Sequence, residues 1–194
     1  MNDIENIELS FLSLSDYSEF KDAMISSYST MPESYWSEHH IENLVGKFPE
    51  GQVVIKVNGQ FAGCAMSLIV DSSKLDGKHT YKDITGNYTF STHTAVGDLL
   101  YGIDVFIKPE YRGLRLGRRL YDYRKELCEK LNLKGVAFGG RIPNYYKYAN
   151  ELTPRQYIDK VKTREIHDPV LNFQISNDFQ PSKILKGYLE GDSS

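Results

Sequence analysis

The chain has 194 residues, a formal net charge of -3, 40% hydrophobic and 25% charged residues. That length and apolar content suit a single domain, 1–194, with a packed core, and the slight acidity excludes a surface basic throughout, so no nucleic-acid partner is expected. The N-terminus lacks the basic and apolar regions of a signal peptide, and no stretch nears the ~18 apolar residues of a membrane span; a cytoplasmic protein without a membrane partner is expected.

In chain order, residues 7–14 alternate well enough for a first strand. Residues 15–28 read as a helix with Ser15 as N-cap, and residues 37–48 as a second helix ended by Pro49 and Gly51. Two β-rich runs, 52–57 and 61–70, meet at Asn58-Gly59, the strongest short hairpin signal. Residues 71–97 are polar and irregular. Residues 99–107 form a β-rich strand stopped by Pro109, and a helix over 116–131 follows. Its apolar face is Leu116, Leu120, Tyr123, Leu127 and Leu131, at steps of three or four. Residues 134–140 read as a buried strand, which makes a right-handed βαβ unit with two parallel strands. An insertion at about 141–166 contains a helix starting at Thr153 or Pro154. A short helix follows, with Asp168 as N-cap and Pro169 at its first position. Residues 180–189 are expected to close the chain as a strand or extended segment.

The chemistry concentrates in the turn between the strand 99–107 and the helix after it. A helix N-terminus leaves backbone N–H groups without partners and carries partial positive charge, which suits a phosphate. Arg112, Arg115, Arg118 and Arg119 add fork-shaped donors, and Gly113 and Gly117 allow close approach. A nucleoside triphosphatase loop, a dinucleotide fingerprint and a kinase motif set are all absent. From the residues alone, the segment is either a phosphate cradle or a basic helix with a solvated face.

The run from Val105 to Val136 resembles the central motif of the GNAT superfamily of N-acetyltransferases. The signature [QR]-x-x-G-x-[GA] is matched by Arg112-Gly113-Leu114-Arg115-Leu116-Gly117, with Arg115 where a glycine is expected. Residues 101–149 further resemble the acetyltransferase domain fused ahead of carbon–nitrogen hydrolase (nitrilase-like) domains in bacterial proteins. The resemblance implies an α/β (α+β) GNAT fold: a mixed, mostly antiparallel sheet with a central splayed parallel strand pair and flanking helices.

It also implies the site. Acetyl-CoA would lie as cosubstrate between the splayed strands, its pantetheine arm paired with the backbone of Val105 and Ile107. Its pyrophosphate would rest on Arg112, Gly113, Leu114, Arg115, Leu116, Gly117 and Arg118. An amine acceptor would attack the thioester directly in a ternary complex. The oxyanion needs a donor, such as the N–H of Val105 or Ile107, and the amine needs a base. Asp104, a carboxylate in mid-strand, is the leading base, with Asp98 behind it. The family's usual tyrosine acid falls at Gln174 and its asparagine at His167, so Tyr146, Tyr145 or Tyr148 is the substitute acid, or water, or these tyrosines only pack the insertion.

Other groups carry less. Cys64 and Cys128 read as buried hydrophobes, and no metal site is expected. His39, His40, His79 and His93 read as solvated or packing residues. Three functions remain open: an N-acetyltransferase, an acyl-CoA-binding module that regulates a carbon–nitrogen hydrolase domain or partner, and a nucleic-acid binder using the arginines. The acceptor and the oligomeric state are not written in these residues.

Overall fold

The Asn58-Gly59 hairpin lies at the heart of a five-stranded sheet. Both turn residues have positive φ, 49° and 76°, which the right-handed twist of the flanking strands requires. A computed structural model describes residues 6–28, 35–75 and 77–189. The strands are β1 (Ile7–Phe11), β2 (Gln52–Val57), β3 (Gln60–Val70), β4 (Leu99–Ile107) and β5 (Val136–Phe138). The helices are α1 (Tyr17–Ser27), α2 (Glu38–Lys47), α3 (Tyr81–Ile84), α4 (Leu116–Lys130), α5 (Pro154–Lys162) and α6 (Pro169–Ile175). The residues fall into two compact units, Met1–Asp76 with Ile84–Phe138, and Gly77–Asp83 with Gly139–Ser194.

In the first unit the strands lie in the order β1-β2-β3-β4-β5. All neighbours are antiparallel except β4 and β5, which are parallel. The fold is therefore the expected α/β GNAT architecture, a mixed sheet with flanking helices. The parallel pair ends the strand order, however. Residues 180–189, expected as a strand or an extended segment, contain no strand. Pro181 lacks a donor, and Lys183 and Tyr188 instead bond to Gly77 O and Tyr81 N.

Side chains alternate across β4. Val105 and Ile107 pack with Leu116 and Leu120 of α4, while Phe106 meets Phe20 of α1, ring centroids 5.5 Å apart. The two helices thus cover opposite faces. The expected stripe of α4 is partly corrected. Leu116, Leu120 and Leu127 are buried, but Leu131 is exposed and Tyr123 sends its hydroxyl to Glu50 O. Tyr121, Arg124 and Cys128 are buried in their place.

Helix starts follow the sequence closely at α2, α5 and α6, where Ser37, Thr153 and Asp168 cap free N–H groups. The first helix differs. Ser13 and Asp16 cap a single 3-10 turn, Leu14–Asp16, and α1 begins only at Tyr17. In the second unit, Tyr157, Val161, Ile166 and Leu171 of the α5–α6 region form a core that Tyr145 and Tyr148 join.

Candidate functional site

The chain leaves β4 at Pro109 and enters α4 through a tight turn. Gly113 has φ 88°, and Arg115, the N-cap, has φ 58° and ψ 20°. Arg115 therefore occupies the left-handed region, not a right-handed helical one. That conformation favours glycine, which accounts for the glycine the motif expects there. Arg112 N bonds Pro109 O, and Arg118 and Arg119 N bond Arg115 O. The five N–H groups between them, residues 113–117, have no hydrogen-bond partner among the described residues. Arg112, Arg115, Arg118 and Arg119 are exposed around them.

The β4–β5 pair opens next to this turn. Pairing runs over Leu100–Val136, Tyr101–Ala137 and Gly102–Phe138, then stops, while β4 continues to Ile107. Lys108 N donates to Ala62 O, so by alternation the backbone groups of Val105 and Ile107 face away from β3 into the open edge. Protein groups already engage them. Val105 N–H donates to Asp104 Oδ1 at 2.8 Å, and Val105 O lies 3.3 Å from the Tyr28 hydroxyl. Ile107 O accepts from Arg112 Nε and the Ser27 hydroxyl, both at 3.3 Å.

Asp104 is half-buried on the α1 face. Its Oδ1 also accepts the Tyr28 hydroxyl at 2.5 Å, and its Oδ2 accepts Trp36 Nε1 at 2.9 Å. Burial pushes this carboxyl above its usual range, against the pull of these donors and of Arg124. The Tyr28 hydroxyl is held well above its ordinary range, by burial and by the carboxylate beside it. Trp36 in turn packs against His40, Tyr88 and Phe90. Tyr28 and Trp36 were missed in the sequence because they lie 76 and 68 residues from Asp104.

Other expected candidates have surroundings of their own. Asp98 bonds Ser72 and Lys134, and these donors hold its carboxyl well below the usual range. Tyr146 lies in the second unit and is exposed. Its neighbours Tyr145 and Tyr148 pack against Tyr157, ring centroids 5.4 and 5.5 Å away. Gln174 lies in the same unit, against Gly140. His93 accepts Ile69 N and stacks on Phe48, and His40 accepts Ser37 N. His79 lies against Tyr188, and His39 is exposed beside Glu42. Both cysteines are buried as thiols. Among the described residues no helix is long and apolar enough to cross a membrane.

The model of the acetyltransferase (GNAT) family matches residues 17–147. The chain is 35% identical over 162 residues to the uncharacterized N-acetyltransferase YkwB of Bacillus subtilis, covering 84% of this chain and 72% of that protein. It is 41% identical over 159 residues to a B. subtilis protein named probable hydrolase YhcX. That match covers 82% of this chain but spans only 31% of the relative. Two solved structures share the fold. The loading GNATL domain of CurA from Lyngbya majuscula superposes with TM-score 0.80 at 21% identity, covering 95% of this chain and 89% of that one. The GphF GNAT-like decarboxylase, solved in complex with isobutyryl-CoA, gives 0.79 at 19% identity, covering 96% and 92%.

Proposed function

We propose, from the premise that the chain belongs to the acetyltransferase (GNAT) family, that it moves an acetyl group from acetyl-CoA to a primary amine in a ternary complex. The observation that carries this reading is the run of five N–H groups at residues 113–117 that have no hydrogen-bond partner among the described residues, with four exposed arginines in and beside the same run. Such a run suits the two phosphates of a pyrophosphate and has no role in holding the turn itself. The coenzyme A complex of a fold relative and the name of the 35% identical relative support it.

In this reading the backbone of Val105 and Ile107 holds the pantetheine arm, and Arg112, Gly113, Leu114, Arg115, Leu116, Gly117 and Arg118 hold the pyrophosphate. Binding must displace the side chains now on that edge: Arg112 and Ser27 at Ile107 O, Tyr28 at Val105 O, and Asp104 at Val105 N–H. Displacement frees the Val105 N–H for the thioester oxyanion and Asp104 Oδ1 for the amine proton. Asp104 is the base and Tyr146 the acid for the departing thiolate, with Tyr146→Phe as the test of the second role. A fusion or partnership with a carbon–nitrogen hydrolase is a further proposal, supported by the partial match to the probable hydrolase.

Calorimetry with acetyl-CoA, followed by thiol release over an amine panel, tests the reading. Binding and amine-dependent thiol release are expected, and Gly117→Trp should weaken acetyl-CoA at least about 100-fold by filling the cradle. Failure of wild-type protein to bind acetyl-CoA overturns the reading.

A further inference from the structure

A buried cation behind β4 has no place in the scheme above. Arg124 of α4 is only 2% exposed. Its Nε donates to the Ser67 hydroxyl at 3.1 Å, and its Nη2 donates to Met66 O at 2.8 Å and also to Asp104 O. A buried guanidinium is costly unless its donors are used and a counter-charge is near. Here the nearby carboxylate is Asp104 itself.

These contacts gather at one irregularity. Met66 pairs with Asp104 and Ser67 with Gly102, so Ile103 is an extra residue on β4. Such a bulge bends its strand and re-aims the next side chain. The residue it re-aims is Asp104, and the guanidinium grips the main chain on both sides of the irregularity. Gly102 makes room for it. A Cβ there would come within 2.9 Å of Arg124 Cζ and Nη1.

Resting on the reading of the site given above, we propose that Arg124 is a positioning residue. Its guanidinium, seated in the space left by Gly102, fixes the β4 bulge, and so aims the Val105 N–H into the open edge and holds the Asp104 carboxylate beside it on the α1 face. It never touches substrate. It acts from the α4 face on a carboxylate that points to the α1 face. Its positive charge also favours the ionised form of Asp104 against burial. The other groups facing that carboxyl are Tyr28 from the end of α1, Trp36 before α2 and Cys64 of β3. Of these, Tyr28 and Cys64 are held as neutral acids.

The test compares Arg124→Met, Arg124→Lys and Gly102→Ala with wild type in three measurements. These are kcat against the KM for acetyl-CoA, the pH dependence of kcat, and the carbon-13 titration of the Asp104 carboxyl. Gly102→Ala keeps the cation and adds one methyl, so it carries the test if Arg124→Met does not fold. Displacement of a reacting group costs on the order of 100-fold. The expected result for Arg124→Met and Gly102→Ala is that drop in kcat with KM changed less than about threefold. The Asp104 titration and the acid limb of kcat should move to higher pH in Arg124→Met, and Arg124→Lys should restore both partly. Folded variants with wild-type kcat and an unmoved Asp104 titration overturn the proposal, as does a parallel fall of kcat and acetyl-CoA affinity. If wild-type protein transfers no acetyl group, the reading of the site fails, and the Asp104 titration alone decides whether Arg124 sets that carboxyl.

Discussion

Each of the two units holds an aspartate that accepts a tyrosine hydroxyl, and the two sites differ in what else reaches the carboxylate. Asp168, fully buried, takes Tyr157 OH at 2.7 Å and three backbone N–H groups, from Asn144, Val170 and Leu171. Both of its oxygens are spent on capping α6 and tying Asn144 to it. Asp104 takes Tyr28 OH, Trp36 Nε1 and Val105 N–H, with two donors on Oδ1 and one on Oδ2. A carboxylate offers about four acceptor positions, so Asp104 keeps capacity that Asp168 lacks. It also sits on β4 past Gly102, the last residue paired with β5. A well-bonded buried carboxylate is therefore no sign of function by itself. The sign is spare capacity beside an open main-chain edge.

The contrast predicts different failures. The largest belongs to Asp168. Asp168→Ala removes a cap and leaves the Tyr157 hydroxyl and three N–H groups without their acceptor, a loss of about 3–4 kcal/mol. Thermal melting should show it as a lowered or separate transition, and an unchanged melt would dissolve the contrast. Next comes Asp104→Asn, which keeps the size of the side chain but cannot accept a proton. Turnover should fall about 100-fold with little change in acetyl-CoA affinity. In wild type, kcat should fall as pH drops through the Asp104 pKa, because the protonated carboxyl is no base. Burial raises that pKa, so this limb should lie above about 4, the ordinary carboxylate value, and vanish in Asp104→Asn. A limb at the ordinary value, or one that survives the substitution, removes Asp104 as the base. The smallest effect belongs to Arg115. Arg115→Gly relieves the left-handed cost of ~1–2 kcal/mol but adds unfolded-state freedom worth ~0.5–1 kcal/mol. A net gain of a few tenths of a kcal/mol by denaturant titration is expected. A clear loss of stability would mean that the arginine side chain holds the turn.

How much of this was legible follows from what each signal depends on. The β4–α4 boundary was readable because Pro109 stops the strand locally and the leucines keep helical period. The cap at Asp168 and the starts of α2 and α5 were readable because capping is a contact over two or three residues. Asp104 stood out as a carboxylate in mid-strand, but its partners Tyr28 and Trp36 come from a distant stretch that no local pattern connects to it. Arg124 was hidden differently. It falls four residues after Leu120, on the buried stripe, yet a charged residue on a helix reads as solvated. Only the bulge at Ile103 and the missing side chain at Gly102 create its space, and neither is visible as periodicity. Residues 180–189 read equally as a strand or an extended segment, because a strand needs a partner edge, and the sequence does not say whether one is free.

The central claim is that residues 113–117 hold the pyrophosphate of coenzyme A. The most direct measurement is an acetyl-CoA titration followed at the backbone amides of those five residues by nitrogen-15 NMR and hydrogen exchange. The account predicts that all five signals shift and become protected as the ligand saturates. Saturable binding that leaves them unmoved would contradict it.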